Sequence, residues 1–378
     1  MKKLLSLLMV LALMAGLLAG CGNEAGSSVA EVQESAASQA PQAEPVEETP
    51  EVASVETAET VETVESVQEE AEVPYEAVDI RVGTIKGPTG VGMVKLMEDA
   101  AQGTAANNYE FTLAADASEV VTKVIAGEYD IACVPTNSAA VMYQKTQGKV
   151  KLLALNTAGV LHILQNTAKE EKITDWEGLK GKTIYSVGQG ANPEYVLDYV
   201  LSGHGIDPDN DVNIVFCTAA DEVIAACASG EADFCMLPEP AKTTLLAKVE
   251  GFEAVFDMTE AWDEVVEGAS LLTQGCVVVQ TSFLEEHPEA VEKFLEEYAA
   301  SVEFVTNNAD EAVSLIVAHE IVPSEGVAKA ALPGCHVMFM AGQEMKDSIA
   351  GYYQVLFDAD PTSIGGNLPD DDFYVIMD

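Results

Sequence analysis

SEVVTKVIAGEYDIACVP, residues 118–135, and DEVIAACASGEADFCMLP, residues 221–238, align without a gap at a constant offset of 103 residues. Glu119 falls on Glu222, Val120 on Val223, Gly127 on Gly230, Glu128 on Glu231, Asp130 on Asp233 and Pro135 on Pro238. Each copy reads as a helix ending in Gly-Glu, a strand beginning at Asp, and a proline-marked exit into another helix. The same offset sets Gly87 on Gly190. Upstream of each of these glycines lies a β-branched strand pattern, at 79–85 and at 182–187. Downstream lie apolar residues at helical spacing: Val91, Val94, Leu96 and Met97 in one copy, Tyr195, Val196, Tyr199 and Val200 in the other. Alternating strand and helix units of this length predict an α/β architecture of two lobes, each a mostly parallel sheet flanked by helices and linked by right-handed crossovers. In such lobes a ligand sits outside the carboxyl ends of the strands, so two lobes enclose a cleft.

Working outward, the apolar run 150–165 is the expected connection to the second lobe, and 270–280 the return. Amphipathic helices at 288–303 and 310–319 then complete the first lobe. The expected division is 75–158 plus 275–378 for lobe 1 and 159–274 for lobe 2, joined by a double-crossover hinge.

The chain has 378 residues, 48 % of them hydrophobic, enough for one large or two ordinary domains. It carries 63 acids against 18 bases, a formal −45, which disfavours nucleic acid and anionic bilayers as partners. Only one basic residue, Arg81, is an arginine, so two-pronged capture of an acid group has almost nothing to perform it.

Residues 1–20 hold Lys2 and Lys3, an apolar stretch from Leu4 to Leu18 and then small residues, the pattern of an export signal. The segment closes on Leu18-Ala19-Gly20-Cys21, which resembles the bacterial lipobox; that resemblance implies lipidation of Cys21 and cleavage before it. Ordinary secretory cleavage with Cys21 a spectator is the alternative. Residues 21–74 contain no aromatic residue and no Lys or Arg, cannot bury a core, and are expected to form a disordered acidic tether. Removing the 14 acids of residues 24–72 and the two signal lysines leaves 49 acids against 16 bases, a net −33 for the fold itself.

The lipobox, the tether, the two lobes with their Gly-Glu-X-Asp elements, Asp175-Trp176-Glu177-Gly178-Leu179-Lys180-Gly181-Lys182-Thr183, and the tail Gly365-Gly366-Asn367-Leu368-Pro369-Asp370-Asp371-Asp372-Phe373-Tyr374 share one order. Together they resemble the substrate-binding lipoproteins of ABC importers, in the branch that includes nitrate, sulfonate, taurine and thiamine-precursor binders. The resemblance spans 77–374. It implies a type II periplasmic-binding-protein fold, hinged closure over one small molecule, delivery to an ABC permease and its ATPase, a monomer, a lipid-anchored extracytoplasmic location, and no catalysis.

Matching loops of the two lobes are the candidate ligand contacts. Gly87, Pro88, Thr89 and Gly90, and Gly188, Gln189, Gly190, Ala191 and Asn192, are glycine-bearing strand-to-helix loops whose free N–H groups can face a polar group, or are tight turns only. Thr136 and Asn137 follow the first lobe's exit proline and serve as ligand contacts or as helix caps. Glu239, between two prolines at the equivalent exit, is a ligand acceptor or an acid favoured at a helix N-terminus. Asn156 and Thr157 break the apolar crossover as a hinge beside a ligand would. Tyr143, Tyr185, Tyr195 and Trp262 are candidate aromatic platforms, each alternatively a core residue, while Trp176 reads as packed.

The five histidines show no metal-ligand spacing, and no nucleophile elbow, P-loop or paired CxxC occurs. No cofactor is expected. Cys133, Cys217, Cys227, Cys235, Cys276 and Cys335 are read mostly as free buried thiols, with pairing as the alternative. The favoured function is a receptor for a neutral or weakly basic heterocycle, such as a pyrimidine-like vitamin precursor, stacked on an aromatic face and donating to Glu239. A sulfonate or nitrate-type anion is the runner-up. A sensory lipoprotein, or an enzyme like the pyrimidine synthases of the same fold, are alternatives of other classes; the export signal argues against the enzyme.

Overall fold

The offset of 103 survives as geometry. The computed structural model describes residues 75–268 and 270–377; the export signal, Cys21 and the tether lie outside the described residues. Eleven strands are described: β1 (Asp79–Ile85), β2 (Asn108–Ala114), β3 (Ile131–Pro135), β4 (Val150–Ala158), β5 (Leu161–Asn166), β6 (Thr183–Val187), β7 (Asn213–Cys217), β8 (Phe234–Pro238), β9 (Phe252–Asp257), β10 (Thr273–Gln280) and β11 (Val337–Ala341). The offset carries β3 onto β8 residue for residue and helix Ala117–Ile125 onto helix Ala220–Ser229.

The strands form two sheets, ordered β11-β4-β10-β3-β1-β2 and β7-β6-β8-β5-β9. Both are mixed, which corrects the expectation of mostly parallel sheets. β1 runs parallel to β2 and β3, and β6 parallel to β7 and β8. β10, however, is antiparallel to β3 and β4, β11 to β4, and β5 to β8 and β9. The cause is the double crossover. β5 arrives from the first lobe after only Gly159 and Val160, and β10 returns from the second; each enters beside the third strand of its new sheet from the opposite end. β10 begins at Thr273, two residues before the expected border.

Helices cover the faces, which is why β4, β5 and β10 read as near-continuous apolar runs instead of alternating ones. Helix Pro288–Asn307 buries Phe294, Tyr298 and Val302 in one cluster with Ile80, Val82 and Val277, so it completes the first lobe. Helix Gly342–Ala359 packs on β4 and β11 of the first lobe and on helix Asn192–Gly203 of the second. Its Tyr352 hydroxyl donates to the Asn192 Oδ1 at 2.6 Å, across the lobes.

Asp198 lies in the groove between these two helices. Burial, reinforced by Glu194 and Asp209, pushes its carboxyl up to about 6. An acid whose folded value is raised holds its proton more tightly in the folded state, so stability falls as pH rises from about 4 through 6. Solvent screens part of the penalty. Asp198→Asn is expected to stabilise the protein by about 1–2 kcal/mol at pH 7.5, the gain vanishing toward pH 4. Urea unfolding at both pH values checks this, and an equal gain at both would refute the assignment.

Candidate functional site

The carboxyl ends of the strands open onto one cavity of about 1020 Å³ between the lobes. Its walls include Ile85 and Pro135, which close β1 and β3, Thr157 of β4, and Pro238, which closes β8. Six helices begin there. Pro88–Val91, Ala117–Ile125 and Thr136–Thr146 come from the first lobe, and Asn192–Gly203, Ala220–Ser229 and Ala241–Lys248 from the second; each lends first-turn residues to the wall. Helix N-termini present unsatisfied N–H groups and the positive end of the helix dipole, so this arrangement can bind acceptor atoms from both sides.

An acid of the protein already occupies one of these donors, and two others accept from loop N–H groups just ahead of their helices. Asp116 accepts from the Ser118 N–H at 2.6 Å, and hydrogen bonds from Ser118 hold its carboxyl below the ordinary carboxylate range. Glu222 accepts from the Thr218 N–H at 2.9 Å, and Glu194 from the Gly190 N–H.

Of the residues singled out from sequence, Gly87, Pro88, Thr89, Asn137, Thr157, Gly188, Gln189, Ala191, Asn192 and Glu239 border the cavity. Gly90, Thr136, Asn156 and Gly190 do not. Gly90 is buried under its loop, where a Cβ would lie 2.4 Å from the Ile85 carbonyl oxygen. Thr136 is enclosed, with its Oγ1 3.2 Å from Thr273 Oγ1. Asn156, also enclosed, donates to the Thr89 carbonyl at 3.3 Å and accepts from the Thr157 hydroxyl at 3.0 Å, so it holds two cavity residues without reaching the space itself. Gly190 has φ +68 and faces open space.

Among the described residues no aromatic side chain borders the cavity. Trp262 is wholly buried, with ring centroids 4.8 Å from Tyr199 and 6.1 Å from Tyr352. Tyr143 packs edge-on to Phe373 and donates to Asp370, Tyr185 donates to Glu231 at 3.2 Å, and Tyr195 to Asp360 at 3.4 Å. Trp176 is packed, stacked between His204 and Phe256 at 4.4 and 4.1 Å. Among the described residues the six cysteines from Cys133 to Cys335 are free thiols, five of them buried.

Glu239 is 2 % exposed. Its Oε1 pairs with the Lys242 Nζ at 2.8 Å, and its Oε2 accepts from the Thr243 N–H at 3.2 Å. Two of the carboxylate's roughly four acceptor sites are thereby taken and Lys242 balances its charge, which leaves it a weaker attractor for a ligand amino group.

Several wall residues escaped the sequence reading. Ser118 and Asp221 are partners in the very repeat that revealed the lobes, and their place at helix starts was the signal. Gln274, at the start of β10, has a buried Nε2 without a hydrogen-bond partner among the described residues. Lys86 and Lys145 also border the space, and neither joins an ion pair among the described residues. Lys86 directly precedes the loop glycine Gly87, which was its signal; nothing in the local pattern around Lys145 and Gln274 marked them as cavity residues.

A family model described as the NMT1-like family matches residues 76–318. YtlA of Bacillus subtilis (strain 168), whose assigned name proposes a binding role, is 28 % identical over 135 residues, 36 % of this chain and 38 % of that protein. The chain thus matches well under half of YtlA's length. Two solved structures share the fold. An ABC transporter from Parabacteroides distasonis superimposes with a TM-score of 0.66 at 21 % identity, over 78 % of this chain and 98 % of that one. The periplasmic aliphatic sulphonate binding protein SsuA from Escherichia coli gives 0.63 at 13 % identity, over 79 % and 94 %.

Proposed function

The chain belongs to the NMT1-like family, and from that premise we propose that it is the solute-binding receptor of an ABC importer, taking a compact organic anion between its lobes. The observation that carries the reading is the convergence of six helix N-termini, three from each repeat, on a single interlobe cavity. Lys86 and Lys145 at the wall and the unpartnered Gln274 Nε2 add donors suited to an acidic head group. Ile125, 43 % exposed on the wall, together with Val121 and Ile224, offers apolar surface for the ligand's remainder. The absence of an aromatic wall among the described residues, and the prior engagement of Glu239, move the choice from a stacked heterocycle to an anion.

The receptor binds without reacting. Closure of the lobes covers Ile125 and desolvates the ligand, and a permease with its ATPase would receive the closed form. Lipid anchoring through Cys21, an extracytoplasmic location and a monomeric state belong to the same reading.

Thermal denaturation with ethanesulfonate, taurine and an aminopyrimidine tests it, since a ligand that binds only the folded state stabilises by about 2.7 kcal/mol at a hundredfold excess over Kd. A sulfonate is expected to raise the midpoint, and Lys86→Gln to reduce the gain. Stabilisation by the aminopyrimidine alone would reverse the choice of ligand.

A further inference from the structure

Behind Glu239 stands a chain of charged groups that the ligand reading does not use. His162, on β5, is 8 % exposed. Its Nε2 lies 3.2 Å from the Lys242 Nζ and 3.3 Å from an Asp257 carboxylate oxygen, while its Nδ1 lies 3.4 Å from the Val160 carbonyl oxygen. Lys242 in turn reaches Glu239 at 2.8 Å. Glu239 and Val160 both border the ligand cavity.

The two neighbours of Nε2 make incompatible demands. An ammonium only donates, so it needs a bare Nε2; a carboxylate only accepts, so it needs an Nε2–H. The Val160 carbonyl can only accept, which fixes a proton on Nδ1 in either case. The neutral ring therefore accepts from Lys242, and Lys242 divides its donors between His162 and Glu239. When a proton from solvent adds to Nε2, the ring donates to Asp257 and repels the Lys242 ammonium, which is left wholly to Glu239.

We propose that His162 is a positioning residue that sets, through Lys242, how much of the Glu239 charge the ligand cavity presents, so that capture of an anion is coupled to uptake of one proton. The inference rests on the reading of the cavity as an anion site for its ligand arm only. Histidine is the side chain suited to this, because it changes charge between about pH 5 and 8.

The groups facing the ring are few. Glu239 follows β8, Lys242 belongs to helix Ala241–Lys248, and Asp257 ends β9. Helix Met258–Val265 offers Asp257 the Thr259 N–H at 2.8 Å, while its own acids Glu260, Asp263 and Glu264 are exposed. From the first lobe, the turn Leu332–Cys335 sets Gly334 against the Glu239 carboxylate and Cys335 beside Glu239 and Lys242. Burial by itself would raise the Asp257 carboxyl, but a hydrogen bond from His162 when its ring is protonated, with those from the Thr259 and Glu260 N–H groups and the charge of that ring, outweighs it and holds Asp257 well below the usual carboxylate range. Asp257 is thus a standing acceptor for the protonated ring.

The test needs no ligand for its first arm. In the full chain labelled with 13C and 15N, the Glu239 carboxyl resonance is followed from pH 8 to 5 beside the His162 ring nitrogens. Both are expected to move in one step, with Nε2 bare at pH 8, and His162→Gln should abolish the Glu239 response. A Glu239 resonance that stays still while His162 titrates, or an Nε2–H form at pH 8, overturns the proposal. Should His162→Gln fail to fold, Asp257→Asn serves instead: its amide oxygen still accepts, but without the carboxylate charge facing the protonated ring the coupled step must move to more acid pH, and an unmoved step counts against the relay.

The second arm uses ethanesulfonate. Binding is expected to be about three- to tenfold tighter at pH 5.5 than at pH 7.5 in the wild type, and equal at both in His162→Gln. Equal binding at both pH values in the wild type overturns the coupling. No binding at any pH, with the Glu239 step intact, overturns the ligand class and leaves the relay in place.

Discussion

Lys242→Met is expected to lower the unfolding free energy by about 3–5 kcal/mol, far more than the loss of one surface ion pair, because it strands a carboxylate in the wall of the cavity. Glu239 is 2 % exposed and the Lys242 side chain 15 %, so water has little access with which to replace either partner. The Thr243 N–H at 3.2 Å remains as an acceptor's partner but supplies no charge. The double variant Glu239→Gln/Lys242→Met removes both charges and should recover most of the loss, since the penalty belongs to the unpaired ion and not to the absent attraction. Urea unfolding at pH 7 of the wild type, the single and the double variant measures this directly. A single variant within about 1 kcal/mol of wild type, or a double variant no better than the single, would show that water reaches Glu239.

Trp262→Ala carries the other large effect, about 3–5 kcal/mol of lost stability. Trp262 is the largest fully buried side chain described, on helix Met258–Val265, whose N-terminus is capped by Asp257. It belongs to the cluster that contains Leu197 of the second lobe and Tyr352 of the bridging helix Gly342–Ala359, so the void opens where the lobes are joined. Its Nε1 has no hydrogen-bond partner among the described residues, and Trp262→Phe removes that orphaned donor with only part of the ring, limiting the cost to about 1–2 kcal/mol. Ligand affinity in the folded Trp262→Phe protein should equal that of the wild type. A lost affinity with little lost stability would return Trp262 to the role of a platform.

The fate of the candidate contacts follows a physical division. Gly87, Gly188 and Asn192 were legible because a strand that ends in glycine before a helix has one place to go in an α/β lobe, the carboxyl edge of the sheet. Thr136 and Asn156 have the same local character as Asn137 and Thr157, yet two turn inward and two reach the cavity. Thr136 and Asn137 open a helix, where successive side chains point in different directions round the axis, whereas Asn156 and Thr157 are neighbours on β4 and face opposite sides of the sheet; which side meets the cleft depends there on pairing with β10, more than a hundred residues away.

The sequence by itself determined the duplication, the two α/β lobes and the strand edges that border the cavity, because local periodicity and a gapless internal register are properties of the chain alone. Only the tertiary structure decided that the sheets are mixed, since the direction in which β5 and β10 enter comes from the path between lobes and not from their own residues. It alone decided that Trp262 is core, that Lys242 neutralises Glu239, and that His162 and Asp257 stand behind them. Those relations join β5, β8 and β9 with helix Ala241–Lys248, elements that meet only when the sheet closes, and a charge is paired or unpaired according to what folding brings within about 4 Å of it.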